Sequence, residues 1–389
     1  MIELDTLTDR GAKIRVVGVG GGGGNAISSM IEKGVTGVDF VSINTDLQAL
    51  ERNKATHKIQ VGKNLTRGLG AGADPTIGQR AVEEDRDEIA RALAGSDMVF
   101  IAAGMGGGTG TGGAPGVANI AKSLGALVVG IVTKPFHSEG KKRTAQAEWG
   151  IDELKKQVDT LIAIPNQKLL DIIDRRTPLL EAFEIANQVL YNATRGISEV
   201  ITVPGLINVD FADVRTIMRE MGDALMGTGF AGGENRAVEA ANAAISSPML
   251  EGVSISGAQG ILVNITGGKD LSLVEVDEAT SIIHEAAGDE ANVILGTVID
   301  ENLTDQVMVT VIATGFNKKS VVQKPVRPAA KLMDRIPSGP TDLQRLDEPS
   351  FVRRGVELPF NAIKESSQEK EKIDKSDPDK PAFLRKIMD

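Results

Sequence analysis

Two glycine-rich stretches, each directly behind a run of apolar residues, constrain this chain more than any other feature. The first, Gly18-Val19-Gly20-Gly21-Gly22-Gly23-Gly24-Asn25, follows Ile14 to Val17. The second, Gly104-Met105-Gly106-Gly107-Gly108-Thr109-Gly110-Thr111-Gly112-Gly113, follows Met98 to Ala103. A short apolar run bounded by glycines reads as a buried strand. Glycine lacks a side chain, so main-chain N–H groups can close on an anion where any other residue would intrude. One such loop is weak evidence. Two in one compact unit point to a polyphosphate gripped at both ends by backbone.

The first loop matches the dinucleotide fingerprint through Gly18, Gly20 and Gly23. That pattern leaves a nicotinamide-dependent oxidoreductase as one reading. It is not a Walker loop, because Asn25-Ala26 stand where Lys-Ser is required. Positive charge must then come from N–H groups, a helix N-terminus and a bound cation. The second loop argues against the oxidoreductase, which needs one glycine fingerprint per dinucleotide. Its Thr109 and Thr111 add hydroxyls that suit phosphate or metal-bound water, and it precedes a helix expected after Pro115. A third cluster, Gly68 to Pro75, either closes over a terminal phosphate or merely connects.

At 389 residues the chain is long enough for two domains. It has no run of the roughly 18 apolar residues that a membrane-crossing helix requires, and its acidic start lacks an apolar signal core. Cysteine is absent, which excludes disulfide and thiolate chemistry and fits a cytoplasmic location. His57, His137 and His284 are scattered, without metal-ligand spacing, so no protein-built metal site is expected. The net charge of -10 argues against nucleic acid as a partner. Charge is uneven: residues 317–389 hold 16 basic and 12 acidic residues, leaving an acidic body and a mildly basic tail. Eight of the 15 prolines but only two of the 44 glycines fall in that tail, which is rich in Lys, Glu, Gln and Ser. Its composition predicts a disordered linker over 317–378. The terminal Pro381 to Met388 suits a short amphipathic helix with Phe383, Leu384, Ile387 and Met388 on one face.

The body alternates strand and helix. Strands are predicted at Ile14–Val19, Val38–Ile43, Met98–Ala103, Leu127–Val132 and Thr160–Pro165, with helices including Asn25–Lys33 and Pro75–Ala94. Near-continuous apolar strands separated by helices imply a mainly parallel sheet covered on both faces. A long helix follows, with Thr177 as cap, Pro178 in its first turn and Pro204-Gly205 at its end. Helices are then expected at Phe211–Met226, near Glu234–Ser246 and at Leu273–Ala287. Strands at Ile261–Ile265, Val293–Ile299 and Val307–Thr314 complete a smaller mixed α/β domain. Asp210 and Asp213 open the first of these helices. Their spacing fits an N-cap and a first-turn acid better than it fits a pair of carboxylates that positions water.

Several long motifs occur in order: GVGGGGGNA at the first loop, GGGTGTG from Gly106 to Gly112, VTKPF at Val132–Phe136, EGKKR at Glu139–Arg143 and NVDFADV at Asn208–Val214. With them the chain resembles the FtsZ family of tubulin-like bacterial cell-division GTPases over residues 13–316, and again at the terminal PAFLRK. The resemblance implies an α/β tubulin-like fold: a GTP-binding domain (1–176) on a parallel sheet, a central helix (177–205), a GTPase-activating mixed α/β domain (206–316), a disordered linker (317–378) and a partner-binding peptide (379–389). It implies GTP and GDP as ligands, with Mg²⁺ held mainly through the phosphates. Gly21, Gly22, Gly23, Gly24 and Asn25 then match the first nucleotide loop, and Gly104, Gly107, Gly108, Thr109, Gly110 and Thr111 the second. Glu139, Arg143 and Asn166 match contacts to the nucleotide. Phe183 and Asn187 match the guanine contacts, one stacking and one hydrogen-bonding. Without the resemblance, EGKKR reads as a solvated basic loop.

By the same resemblance Asn208, Asp210 and Asp213 are catalytic, entering the nucleotide site of the next subunit in a head-to-tail homopolymer. The tail peptide binds membrane-anchoring division proteins through Phe383, Leu384 and Ile387, with Lys380, Arg385 and Lys386 as its basic flank. The location implied is the mid-cell ring. A nucleotide-binding scaffold that polymerises but barely hydrolyses is the other alternative.

Overall fold

The computed structural model describes residues 11–316 except 172, 175, 204, 206, 208 and 251–254. The expected linker and tail peptide, including Phe383, Leu384 and Ile387, lie outside the described residues.

Among the described residues ten strands form one sheet: β1 (Ile14–Val19), β2 (Asp39–Asn44), β3 (His57–Gln60), β4 (Met98–Gly104), β5 (Leu127–Lys134), β6 (Thr160–Pro165), β7 (Gly222–Gly232), β8 (Gly260–Gly267), β9 (Asn292–Ile299) and β10 (Gln306–Thr314). Their order is β3-β2-β1-β4-β5-β6-β7-β10-β8-β9. From β3 to β6 every pairing is parallel. Successive residues of the central strands feed opposite faces. Ile14, Val16, Met98 and Phe100 join one core; Val17, Val19, Val99 and Ile101 join the other. Both faces are thus buried, as the unbroken apolar runs require.

The chain leaves β1 in one direction to β2 and β3, then crosses back to β4 on the other side of β1. That reversal opens a crevice beyond the carboxyl ends of β1 and β4, the place where doubly wound sheets bind ligands.

β7 joins β6 in parallel through Gly222 to Ala224, and carries β10, β8 and β9 beyond it. The second half of the helix expected over Phe211–Met226 is therefore strand: the helix is Phe211–Met218 and the strand begins at Gly222. Close packing is the reason. The helix Arg236–Ile245 lies so near β7 that a Cβ on Gly227 would meet the Ala244 carbonyl carbon at 3.0 Å, and one on Gly229 the Ala244 nitrogen at 2.6 Å. A glycine-rich strand facing an alanine-rich helix carries little strand signature of its own.

The long helix spans Leu179–Thr202 and packs Leu190, Ala193, Ile197 and Val200 into the same core as Leu262 and Ile312 of the later strands. Its N-cap is Pro178, and no side chain caps it, so Thr177 does not take that role. The helix expected over Pro75–Ala94 is two, Pro75–Glu84 and Arg86–Leu93, parted at Asp85, whose carboxylate accepts from the Gly62 N–H at 2.7 Å.

Candidate functional site

The helix after β1 starts at Gly20, within the glycine run rather than after it, and extends to Glu32. Glycine costs about 1 kcal/mol per helical position relative to alanine, so proximity must demand it here. A Cβ on Gly23 would lie 3.0 Å from the Gly18 carbonyl carbon and 3.1 Å from that of Ala102. Beside Gly21 nothing lies within 4 Å. The run therefore divides: Gly23 lets the helix sit on β1 and β4, whereas Gly21 faces open space.

The second loop divides in the same way. The helix following β4 is Thr109–Ser123, with Pro115 inside it, so the threonines belong to its first turn. Pro115 is the seventh residue of that helix, past the four whose N–H groups lack an intrahelical acceptor, so the helix forgoes a bond to the Thr111 carbonyl there. Gly112 packs against Pro75, Gly110 against Gly104, and Gly107 faces open space. Two helix N-termini thus converge on one crevice, an arrangement that favours anions.

The cavity there measures about 520 Å³. Of the residues expected to hold nucleotide, Gly21, Gly22, Asn25, Gly104, Gly107, Gly108, Thr109, Gly110, Glu139, Arg143, Asn166, Phe183 and Asn187 line it. Gly23, Gly24 and Thr111 do not: Gly24 offers its carbonyl to Asn53 Nδ2 at 2.7 Å, and the Thr111 hydroxyl accepts from the Gly106 N–H at 2.8 Å. The Thr109 hydroxyl meets that of Thr45 at 2.6 Å.

Glu139 ends a short 3₁₀ turn, His137–Glu139, and Arg143 lies in the first turn of the helix Lys141–Lys155. EGKKR is thus a helix entrance rather than a loop, and its residues Gly140 to Arg143 remain exposed. Glu139 accepts the Phe136 N–H at 2.8 Å and holds Arg143 Nε at 3.1 Å, which fixes the cation at the cavity wall. Phe183 belongs to the apolar stripe of the long helix yet remains 41 % exposed. Its ring meets Phe136 edge to face at 5.7 Å and leaves a face on the cavity. Asn187 lies one turn on along the same wall. Asn166 is buried with its Oδ1 unpartnered among the described residues. A buried acceptor without a partner is costly and points to a missing donor.

Sequence reasoning left the third glycine cluster undecided. Leu69, Gly70, Ala71, Gly72 and Ala73 line the cavity, and Ala73 adopts a left-handed φ of 60°. Asn44 and Asp46, at the carboxyl end of β2, were not anticipated. The strand order identifies them, since β2 ends beside β1. Next to this loop Asp74 caps the helix Pro75–Glu84, and hydrogen bonds from the Thr76 hydroxyl and amide hold its carboxyl below the usual range.

Asp210 and Asp213 are exposed and lie outside the cavity wall. Asp210 caps the helix Phe211–Met218, its Oδ1 accepting the Asp213 N–H at 2.9 Å. The end of that helix is tied to the amino end of β6, where the Thr160 hydroxyl donates to the Met218 carbonyl. The cavity occupies the opposite, carboxyl edge of the same strands. Asn208 lies outside the described residues.

A doubly wound sheet with two glycine turns and an aromatic–amide pair around a polyphosphate-sized crevice defines the class: a nucleotide-binding protein. Residues 13–174 match the GTPase domain of the Tubulin/FtsZ family, and residues 222–317 match the C-terminal domain of the FtsZ family. A dimeric, empty FtsZ from M. jannaschii is 49 % identical and superposes with a TM-score of 0.76, covering 79 % of this chain and 89 % of its own. CetZ2 from Haloferax volcanii, a GTPγS-bound protofilament, is 23 % identical with a TM-score of 0.65, covering 77 % of this chain and 92 % of its own, and shares the fold. The chain belongs to the FtsZ family. Among the described residues no helix is long and apolar enough to cross a membrane.

Proposed function

We propose that this chain is a GTP-dependent, self-assembling cell-division protein that forms head-to-tail filaments and hydrolyses GTP where two subunits meet. The observation that carries this reading is the separation of the two halves of the chemistry. The phosphate crevice lies at the carboxyl edge of the parallel strands, and the helix opened by Asp210 and Asp213 is anchored at the amino edge. No subunit brings them together alone; stacking one subunit's amino edge on the next one's carboxyl edge does. Such a heterologous contact repeats without closing.

In the crevice, Gly21, Gly22 and Gly107 to Gly110 cradle the phosphates with N–H groups. The loops supply no lysine, so the remaining positive charge falls to Arg143 and to Mg²⁺ carried on the phosphates. Among the described residues no cluster of three or more His, Cys, Asp or Glu is fit to hold a metal. Phe183 stacks on the guanine, Asn187 hydrogen-bonds its edge, and Asn166 receives a donor from the nucleotide. Asp210 and Asp213 of the adjoining subunit position the attacking water, with Asn208 completing that loop. Catalysis is then mainly orientation and charge stabilisation. Residues supplied in trans to other GTPases raise the rate by roughly 10³–10⁵. The terminal peptide, through Phe383, Leu384 and Ile387, docks a membrane-anchoring division protein and holds the filament at the mid-cell ring.

Turnover per subunit measured over a wide dilution series tests the reading. A steep rise above a threshold concentration is expected. A specific rate that stays constant through dilution overturns catalysis in trans.

A further inference from the structure

The carboxyl end of β2 puts Asn44 and Asp46 on the cavity wall. Thr45, between them, is wholly buried. Its hydroxyl lies 2.6 Å from that of Thr109, the first residue of the helix Thr109–Ser123 and a member of the wall. The two threonines are 64 residues apart in sequence and meet only through the fold. Thr45 itself does not line the cavity, so it stands one step removed from any ligand.

The direction of this bond follows from what each hydroxyl can reach. A hydroxyl carries one proton and two acceptor sites. Among the described residues the Thr45 hydroxyl makes no other hydrogen bond. With Thr109 as donor, the Thr45 proton would be buried without an acceptor, which is costly. With Thr45 as donor, neither hydroxyl of the pair strands a buried proton. Thr109 then accepts, and its own proton, with no acceptor among the described residues, is left to the cavity. Two helix N-termini converge there, so the acceptor they favour is an anion's oxygen.

The backbone at Thr45 is held on both sides. The Thr66 hydroxyl donates to the Thr45 carbonyl at 3.3 Å, and the Leu47 N–H donates to the Gly68 carbonyl at 3.1 Å. Asp46 caps the helix Leu47–Arg52, its carboxylate accepting from the Ala49 N–H at 3.1 Å. Threonine is β-branched and stiff at χ1, so a fixed backbone there gives a fixed hydroxyl.

We infer that Thr45 is a positioning residue for the nucleotide: its hydroxyl donates to Thr109 and so turns the Thr109 proton onto a phosphate oxygen. This rests on the reading of the crevice as a GTP site given above. Two hydroxyls in series polarise one another, so the outer proton is a better donor to an anion than that of a lone threonine. Thr45 touches no substrate and acts only through Thr109.

The test titrates the nucleotide-free full-length chain with GDP by calorimetry. Wild type, Thr45→Val, Thr45→Ser, Thr109→Val and the double variant Thr45→Val with Thr109→Val are compared. Thr45→Val keeps the shape and loses the donor, so GDP affinity should fall roughly 3- to 10-fold. Thr45→Ser keeps the donor and should recover most of that loss. Thr109→Val should bind more weakly than Thr45→Val. The double variant should bind no more weakly than Thr109→Val alone, because Thr45 then has no hydroxyl to orient. Thr45→Cys, which fills the site with only a weak donor, stands in for Thr45→Val if that variant does not fold. Unchanged affinity in Thr45→Val, losses that multiply in the double variant, or Thr45→Ser as weak as Thr45→Val each overturn the inference and leave the GTP site standing. A wild type that takes up no GDP overturns the reading of the crevice, and the inference with it.

Discussion

Replacing Gly112 by alanine separates the packing glycines from those that face the ligand. Gly112 lies in the helix Thr109–Ser123 where it crosses the start of the helix Pro75–Glu84. A Cβ there would overlap the Pro75 carbonyl oxygen, and would sit 2.7 Å from the Pro75 carbonyl carbon and 2.9 Å from the Gln79 nitrogen. All three are backbone atoms, so no rotamer change relieves the clash; the helices must part by about an ångström. Overpacking of this kind costs about 1–3 kcal/mol, and more where backbone must move. The gain in helix propensity from Gly to Ala offsets about 1 kcal/mol. A net loss of about 2 kcal/mol is expected, read as a lower urea midpoint at unchanged m-value. Gly21→Ala is the matched control, also helical but with nothing within 4 Å of its Cβ. It should be neutral or slightly stabilising, yet should weaken GTP binding, because its methyl group projects into the cavity. Equal urea midpoints for the two variants, or undiminished GTP affinity in Gly21→Ala, would refute the division of the glycines into two kinds.

Asp213→Ala should bind GTP normally and hydrolyse it poorly in assembled protein; normal phosphate release per assembled subunit removes its catalytic role. Asp210→Asn keeps an N-cap acceptor and loses the charge, so it should retain stability while losing turnover, whereas Asp210→Ala should also lose about 1 kcal/mol of stability, as thermal melts and phosphate assays would report. Phe183→Ala removes both the stacking face and the edge contact to Phe136. Base–aromatic stacking is worth about 1–3 kcal/mol, so GTP affinity should fall roughly 5- to 150-fold by equilibrium titration, and a smaller loss would place the base elsewhere. At the far end of the body, Arg236 is buried and bound by Glu275 and Asp270. Its hydrogen bond, with those from Ser272, depresses Glu275 from 4.5 to about 2. The stability this contributes is present in full above pH 4.5 and drains away as pH falls towards about 2. Urea midpoints at pH 5 and pH 3 should therefore differ by less in Glu275→Gln than in wild type.

Local pattern carried most of the first half of the fold. The apolar runs at Ile14–Val19 and Thr160–Pro165 are strands with the bounds expected, as is the helix Leu273–Ala287 with its Ser272–Glu275 capping box. β3 and the strand half of 211–226 were not legible. The first is a short edge strand with two exposed residues, and the second is glycine-rich and takes its conformation from the helix laid across it. For the crevice, residue types near the glycine loops were visible in the chain, but Phe183 and Asn187 were placed only through the resemblance to a family. Asn44, Asp46 and the loop at Leu69–Ala73 emerged only once the strand order brought β2 beside β1.

Sequence alone determined that there are two glycine turns behind two buried strands, that no lysine sits in either, and that the chain shares the FtsZ family's motifs from 13 to 316. These are properties of neighbours along the chain, and residue type is enough to express them. Only the tertiary structure decided which glycines touch backbone and which face the cavity, that Asn166 holds an unpartnered acceptor there, and that the Asp210 helix is anchored at the opposite edge of the strands. Those are distances between residues far apart in sequence, set by how ten strands close on one another, and composition and spacing do not encode them in any single stretch.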